Sequence, residues 1–304
     1  MWPTVQPISR VALVLSPAIG DSLLMMTIAR NLQENGIAVT IFGRQIQSLG
    51  AWFPEIETLD DLAAEDLTAR LAGFDRVIQM HRNKPFVGLE QHHPRVSFLD
   101  HICRVRSSES MADRLAKFCV DEFGLPGADK SNGMTPPQGL QHRKHPLRVA
   151  IHPTASTADK CWLPSRFIRL AIRLRELGFS PEFVVAPQER ADWLHIERLG
   201  LKLPDLGSLD NVATWVYESG WFIGNDSGVG HLASNLGIPS LSLFRRRRVA
   251  ERWRPAWGIV DVVLPWQWVP TAYLKEKLWR QTLTCNRVLT AFARLTRQAA
   301  RTHG

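Results

Sequence analysis

The sequence has 304 residues, of which 45% are hydrophobic and 22% are charged, and it carries a formal net charge of +8. This length exceeds that of a usual single domain and predicts two domains of roughly 100 to 200 residues each. The composition excludes an integral membrane protein, because no segment approaches the roughly 20 consecutive apolar residues of a membrane span. The first residues lack the basic region of a signal peptide and lead into an apolar stretch, 11–15, that is too short for one, so we expect a cytoplasmic protein.

Charge and residue usage also indicate the kind of partner. The positive net charge favours an anionic partner. Tryptophans interleaved with Arg and Lys near the C-terminus suit a peripheral contact with the inner membrane, although core packing explains most tryptophans. The four cysteines are far apart and form no C-x-x-C pair. This spacing predicts buried thiols in a reducing compartment and no metal site.

The first half of the chain alternates apolar runs with helical patterns, as a βαβαβ unit does. Its predicted elements are strands at 11–15, 38–42, 76–80 and 96–98 and helices at 22–35, 62–71 and 111–122. Gly36 suits the end of the first helix. Parallel strands joined in this way predict a doubly wound sheet with right-handed crossovers.

The stretch 124–146 is rich in Gly, Pro and polar residues and predicts a domain boundary. We predict an N-terminal Rossmann-like domain at 1–145 and a C-terminal one at 146–272, followed by a helix at 273–304 that packs across both domains. The elements predicted for the C-terminal domain are strands at 148–152, 182–185, 221–224 and 240–244 and helices at 164–177, 188–198, 211–219 and 228–236.

The turn from the first strand into the first helix contains Gly20 and Asp21. Open α/β sheets bind their ligands at such turns. Gly20 permits a close approach of the backbone. Asp21 is placed either to cap the helix or, with its charge stabilised by the helix N-terminus, to act as a general base.

A polar loop after the first strand of the C-terminal domain contains Thr154, Ser156 and Lys160. Hydroxyl groups and one mobile cation suit a diphosphate ligand. The alternative is an ordinary solvated loop that leads into a helix.

The most specific motif lies where a later strand turns into a helix. It comprises Asp226, Ser227, Gly228, Val229, Gly230 and His231. Small residues at a helix start let a phosphate approach the backbone N–H groups there. Asp226 is suited to accept hydrogen bonds from the hydroxyl groups of a donor substrate. His231 is suited either to donate a hydrogen bond to a phosphate or to lie in the core.

Four consecutive arginines begin at Arg245. Their mutual repulsion favours an anion near Arg245 and Arg246. We interpret this anion as a phosphate-bearing donor substrate, a phosphorylated acceptor substrate or an anionic membrane. The alternative is a solvated run of charges. His81 lies in a polar stretch after a predicted strand, and we interpret it as an acceptor contact.

Three of these motifs, in this order, resemble those of glycosyltransferase family 9, the heptosyltransferases that build the inner core of lipopolysaccharide. The matching residues are Gly20-Asp21-Ser22-Leu23 for the first motif, His152-Pro153 with Lys160, Trp162 and Pro164 for the second, and Asp226-Ser227-Gly228 with His231, Ala233 and Pro239 for the third. Together they span most of the chain.

The resemblance implies a GT-B fold, in which two Rossmann-like domains face a central cleft. It implies inverting, metal-independent transfer of a sugar from ADP-heptose to a lipopolysaccharide core or related anionic glycolipid. Asp21 would be the base, and Lys160 with the helix opening at Ser227 would hold the diphosphate, with Asp226 near the donor sugar. We expect a monomer that needs no cofactor and binds no nucleic acid.

Two other functions are compatible with the same residues. One is a nucleotide-sugar epimerase, because such enzymes can share the two-domain fold. The other is a catalytically inactive GT-B docking module. A nucleic-acid binder has only the arginine run in its favour, because no recognisable nucleic-acid module surrounds that run.

Overall fold

The computed structural model describes residues 8–105, 107–266 and 271–302. The chain divides into two compact units, Met1–Thr135 and Pro136–Gly304. The division falls before the predicted boundary at 145, because the segment after Pro136 is already bonded to the second unit. The N–H groups of Arg143 and His145 donate to the carbonyl groups of Tyr217 and Glu218. We call the two units the N-terminal and C-terminal domains.

The N-terminal domain is a parallel five-stranded sheet in the order β3-β2-β1-β4-β5, with helices in the connections. Its elements are β1 (Arg10–Val14), α1 (Ile19–Glu34), β2 (Ala38–Phe42), α2 (Arg44–Gln47), β3 (Glu57–Leu59), α3 (Leu67–Leu71), β4 (Arg76–Gln79), β5 (Val96–Phe98), α4 (Asp100–Arg104) and α5 (Met111–Phe123). The sheet and α1 bury most of their apolar side chains. A Ser110–Asp113 capping box begins α5, and Gly124, in the left-handed conformation at φ 66°, ends it.

The C-terminal domain is a second parallel five-stranded sheet, in the order β10-β9-β8-β6-β7. Its elements are β6 (His145–His152), α6 (Pro164–Glu176), β7 (Ser180–Phe183), α7 (Arg190–Trp193), α8 (Leu209–Tyr217), β8 (Ser219–Asn225), α9 (Gly228–Asn235), β9 (Ser240–Leu243), α10 (Arg247–Trp253), β10 (Val260–Val263), α11 (Ala272–Thr282) and α12 (Cys285–Thr302). Both domains are therefore doubly wound, as predicted.

Three predicted helices differ from the observed ones. The helix expected at 62–71 is a 3-10 turn, Ala64–Asp66, followed by the short α3. The helix expected at 188–198 is a 3-10 turn, the short α7 and a second 3-10 segment, Leu194–Leu199. The C-terminal helical pattern is split into α11 and α12, and α12 packs against α6, β9 and β10. Its predicted packing across both domains stays a prediction. Within the described residues, no helix combines the length and the apolarity that a membrane span needs.

Candidate active site

The order of the N-terminal sheet reverses direction between β1 and β4, and parallel sheets bind ligands at the carboxyl ends of the strands flanking such a point. Asp21 follows β1 and His81 follows β4, so the topology brings these two predicted residues to the same edge. The Nε2 atom of His81 lies 3.7 Å from the Oδ2 atom of Asp21. The two side chains form an ion pair when the imidazole is protonated.

Asp100, which the sequence reasoning missed, completes this cluster from the first turn of α4. Its Oδ1 atom lies 3.8 Å from Nδ1 of His81, and its Oδ2 atom accepts the N–H of Arg82 at 2.7 Å. The pKa of His81 is raised, first by its interaction with Asp21 and then by the charge of Asp100, against the opposing effect of burial. The sequence did contain a signal for Asp100, an aspartate two residues after the predicted strand at 96–98. The end of that strand, β5, lies beside the end of β4 in the sheet.

Asp21 is not the N-cap that the sequence suggested. Ala18 occupies the cap position, and Asp21 lies within the first turn of α1, one residue after Gly20. The turn is held instead by serines, because Ser22 Oγ donates to the Ser16 carbonyl at 2.8 Å. The Asp21 side chain is 24% exposed, so it is accessible to a substrate and close to the positive end of the helix dipole.

The C-terminal sheet reverses direction between β6 and β8. The loop with Lys160 follows β6, and the motif beginning at Asp226 follows β8, so both predicted donor motifs lie at one switch point. Lys160 Nζ lies 3.4 Å from Asp226 Oδ2, and these side chains are 35% and 12% exposed. The structure thus brings together the cation and the carboxylate that were predicted separately.

The start of α9 offers backbone N–H groups beside this pair. Ser227 is the N-cap, and its Oγ accepts the N–H of Gly230 at 3.4 Å. The N–H groups of the first turn, which begins with Gly228 and Val229, have no partner within the helix. His231 is 6% exposed on the buried side of α9, the position that the core-histidine alternative describes.

Asn225 holds the Lys160 loop and was not singled out from the sequence. The residue is fully buried at the end of β8. Its Oδ1 accepts the N–H of Trp162 at 3.0 Å, and its Nδ2 donates to the carbonyl of Pro153 at 2.7 Å. One side chain therefore fixes both ends of the loop.

Residues near the C-terminus hold the middle of the same loop. Trp279 Nε1 donates to the carbonyl of Asp159 at 3.1 Å, and the Arg280 guanidinium donates to the carbonyl of Ala158. Arg245 forms an ion pair with the Asp159 carboxylate. Arg245 is therefore part of this site, whereas Arg246 is exposed at the N-cap of α10.

The two hydroxyl residues of the loop differ in their surroundings. Thr154 Oγ1 donates to Glu189 Oε2 at 2.9 Å, while Ser156 is exposed. His152, at the end of β6, is buried and Nδ1 contacts the Val184 carbonyl at 2.8 Å. Burial lowers the pKa of His152, which favours the neutral ring with a proton on Nδ1.

Among residues 8–105, 107–266 and 271–302, no group of three or more His, Cys, Asp or Glu side chains could hold a metal ion. The positive groups at the C-terminal site include Lys160, Arg245, Arg280 and the N-terminus of α9.

Comparison with known proteins identifies the family. Residues 76–264 match the family described as Glycosyltransferase family 9 (heptosyltransferase). No curated protein sequence matches the chain. The matched range is more than half of the 304 residues, so the chain belongs to glycosyltransferase family 9 and is a glycosyltransferase. The match includes Lys160 and the motif at Asp226 but begins after Asp21.

Solved structures show the same fold at low sequence identity. A family 9 glycosyl transferase from Veillonella parvula superposes with a TM-score of 0.72 at 16% identity, covering 95% of this chain and 97% of the other. ADP-heptose lps heptosyltransferase II of E. coli gives 0.69 at 15% identity, with coverages of 96% and 99%. The E. coli heptosyltransferase WaaC with ADP gives 0.64 at 14% identity, with coverages of 94% and 99%. The predicted GT-B fold class is confirmed.

Proposed function

We propose that this protein is an inverting glycosyltransferase that moves heptose from ADP-heptose onto a lipopolysaccharide core or a related anionic glycolipid. Family membership supports the glycosyl transfer. The names of the similar structures, which include an ADP-heptose enzyme and a complex with ADP, support the donor. The observation that carries the proposal is the position of Lys160 beside the N-terminus of α9, at the switch point of the C-terminal sheet.

The donor diphosphate binds at this point in the proposed reaction. Lys160 and the N–H groups of Ser227, Gly228 and Val229 contact the phosphates, and Asp226 accepts hydrogen bonds from the donor sugar. Positive groups fixed before the reaction stabilise the charge that grows on the departing diphosphate. The Asp226 carboxylate lies 3.4 Å from Lys160 Nζ, so the diphosphate competes with this carboxylate for the ammonium group.

Asp21 is the proposed base. It takes the proton of the acceptor hydroxyl as that oxygen bonds to the anomeric carbon, while the bond from this carbon to the donor phosphate oxygen breaks. Attack from the opposite face inverts the anomeric centre through an oxocarbenium-like state. His81, 3.7 Å from Asp21 and 3.8 Å from Asp100, orients the carboxylate and approaches the bound acceptor.

The proposed enzyme uses neither a cofactor nor a metal ion. Lys160, Arg245 and the dipole of α9 supply the charge that a metal supplies in other transferases. Excess chelator should therefore leave the transfer rate unchanged, and a loss of activity that added metal restores would contradict this assignment. The proposed form is a cytoplasmic monomer with a peripheral contact to the inner membrane.

Calorimetric titration with ADP, UDP, GDP and their sugar conjugates tests the donor site. We expect selective binding of ADP and ADP-sugars, which Lys160→Ala weakens. The matched control is Lys144→Ala. Lys144 precedes the amino end of β6, whereas the Lys160 loop follows its carboxyl end. The Lys144→Ala variant should bind ADP with the affinity of the wild type. Equal weakening in both variants would remove Lys160 from the diphosphate site.

The two alternative functions give other outcomes in the same experiments. Absence of binding to every nucleotide would favour the inactive docking module. Conversion of the bound sugar to an epimer without any acceptor would favour the epimerase.

A further inference from the structure

The positive charge of this chain is concentrated at its C-terminal end. Residues 245–304 contain 13 of the 37 Lys and Arg residues but only 3 of the 29 Asp and Glu residues, a net charge of +10. The 244 residues before them carry a net charge of −2. Among the arginines of this stretch, Arg245 and Arg280 hold the Lys160 loop. The remaining Lys and Arg residues of this stretch are more numerous than is needed to hold that loop.

Four of these cations lie on α12, which forms a helical layer with the arginine-rich α6. These two helices pack against each other and together contain eight arginines and one acidic residue, Glu176. Seven of the arginines are exposed. Arg175 donates to the carbonyl groups of Leu199 and Gly200, and we call the other six the arginine face: Arg169, Arg173, Arg287, Arg294, Arg297 and Arg301.

The sequence of α12 directs its arginines away from the core. Val288, Phe292 and Leu295 are buried on one side of the helix. Arg287 and Arg294 are separated by seven residues, about two helical turns, and therefore project from the same outer side.

Ion pairs neutralise only part of the arginine face. Arg294 pairs with Asp261 at 3.0 Å, and Arg173 pairs with Glu176 at 2.7 Å. Within the described part of the chain, Arg287, Arg297 and Arg301 form no ion pair. Like charges left unpaired on one surface repel one another, and an anionic partner relieves this repulsion.

A groove of about 400 Å³ adjoins the arginine face between α12 and the segment after β10. Its lining includes Leu264 and Trp266 on one side and Arg287 and Arg294 on the other. The Trp266 side chain is 50% exposed. An exposed indole beside arginines is the combination found at membrane interfaces, where the ring lies among lipid headgroups and the cations contact phosphates.

We propose that the arginine face, with Trp266, docks the protein on the surface of a bilayer that contains anionic phospholipids. This inference rests on the proposed function for its purpose, because a glycolipid acceptor lies in such a bilayer. The apolar side of the groove distinguishes a lipid surface from a nucleic acid, whose phosphate backbone would use the arginines but not Leu264.

Sedimentation with vesicles tests the proposal on the full chain. We expect binding to phosphatidylcholine vesicles that contain phosphatidylglycerol, weak binding to phosphatidylcholine alone, and a decrease with added salt. Each arginine near such a surface strengthens binding about fivefold, so the triple change Arg287→Gln, Arg297→Gln, Arg301→Gln should weaken binding roughly a hundredfold. Trp266→Ala should weaken binding further at constant charge.

A matched triple variant separates the local surface from net charge. Arg70→Gln, Arg95→Gln, Arg198→Gln removes the same charge from exposed positions outside the arginine face and should change binding less than about threefold, in contrast to the contribution expected near the membrane. Equal weakening in both triple variants, or no binding of the wild type to anionic vesicles, would overturn the proposal. Binding of an oligonucleotide but not of vesicles would do so as well.

ADP titration of the same samples distinguishes the two proposals. Wild-type protein that binds ADP but not vesicles retains the donor site and lacks the docking surface. Protein that binds vesicles through the arginine face but binds no nucleotide retains the docking surface and contradicts the proposed donor site.

Discussion

Replacing Asn225 by alanine tests the claim that one buried amide fixes the Lys160 loop. The change removes the acceptor for the N–H of Trp162 and the donor to the carbonyl of Pro153, at 3.0 and 2.7 Å. Each buried backbone group left without a partner costs about 1 to 3 kcal/mol. The free energy of unfolding of the C-terminal domain should therefore fall by about 2 to 6 kcal/mol, and relaxation of the loop favours the lower end.

Urea denaturation followed by tryptophan fluorescence measures this loss. The matched control is Asn211→Ala, because the Asn211 side chain also donates to a backbone carbonyl, that of Leu206 at 2.6 Å, but is exposed. Water replaces that bond, so the control should lie within about 0.5 kcal/mol of the wild type. A similarly small effect in Asn225→Ala would refute the structural role of Asn225, and unchanged ADP affinity would separate the loop from donor binding.

Three further predictions test the environment of the two sites. Gly224→Ala should destabilise the C-terminal domain by about 1 to 3 kcal/mol, because a Cβ there would lie 2.8 Å from the Phe222 ring. Gly230→Ala should fold normally, because the nearest neighbour of its Cβ would be 3.7 Å away, and thermal unfolding compares the two variants. Protonated His81 stabilises the N-terminal domain below about pH 6.5, and this contribution is lost as the pH rises through its raised pKa; His81→Gln should abolish that dependence. His152 acts in the opposite sense, because its lowered pKa makes the C-terminal domain less stable as the pH falls below about 6.5, and an unfolding midpoint independent of pH would contradict this.

Local patterns predicted four strands of each sheet but missed the edge strands β3 and β10. The strands at 38–42 and 96–98 have the predicted bounds, since short apolar runs between turn residues admit few other structures. The break between α11 and α12 was missed, because the helical pattern continues through Leu283 and Thr284. The run of four arginines, whose last two residues begin α10, was interpreted as an anion contact. The helix itself was missed, because four adjacent cations gave no apolar periodicity.

The sites were predictable as separate motifs and not as assemblies. Asp21 and His81 meet because β1 and β4 are neighbours, and strand order is a long-range property. The hydrogen bonds from Trp279 and Arg280 to the Lys160 loop join residues about 120 positions apart in the chain. No local sequence pattern encodes contacts over such a distance. In the sequence, Asn225 is one polar residue before a motif. Its burial and its hydrogen bonds to both ends of the loop are visible only in the structure.

The most direct test of the central claim is transfer itself, measured as ADP release and glycosylated product from ADP-heptose and a lipopolysaccharide-core acceptor. We predict an inverted product from the wild type and a fall of about 10² to 10⁴ in kcat for Asp21→Asn, with donor affinity retained. Asp66→Asn, an exposed aspartate of the same domain, serves as the control and should keep full activity. Undiminished transfer by Asp21→Asn, or a product that retains the anomeric configuration, would contradict the proposed mechanism.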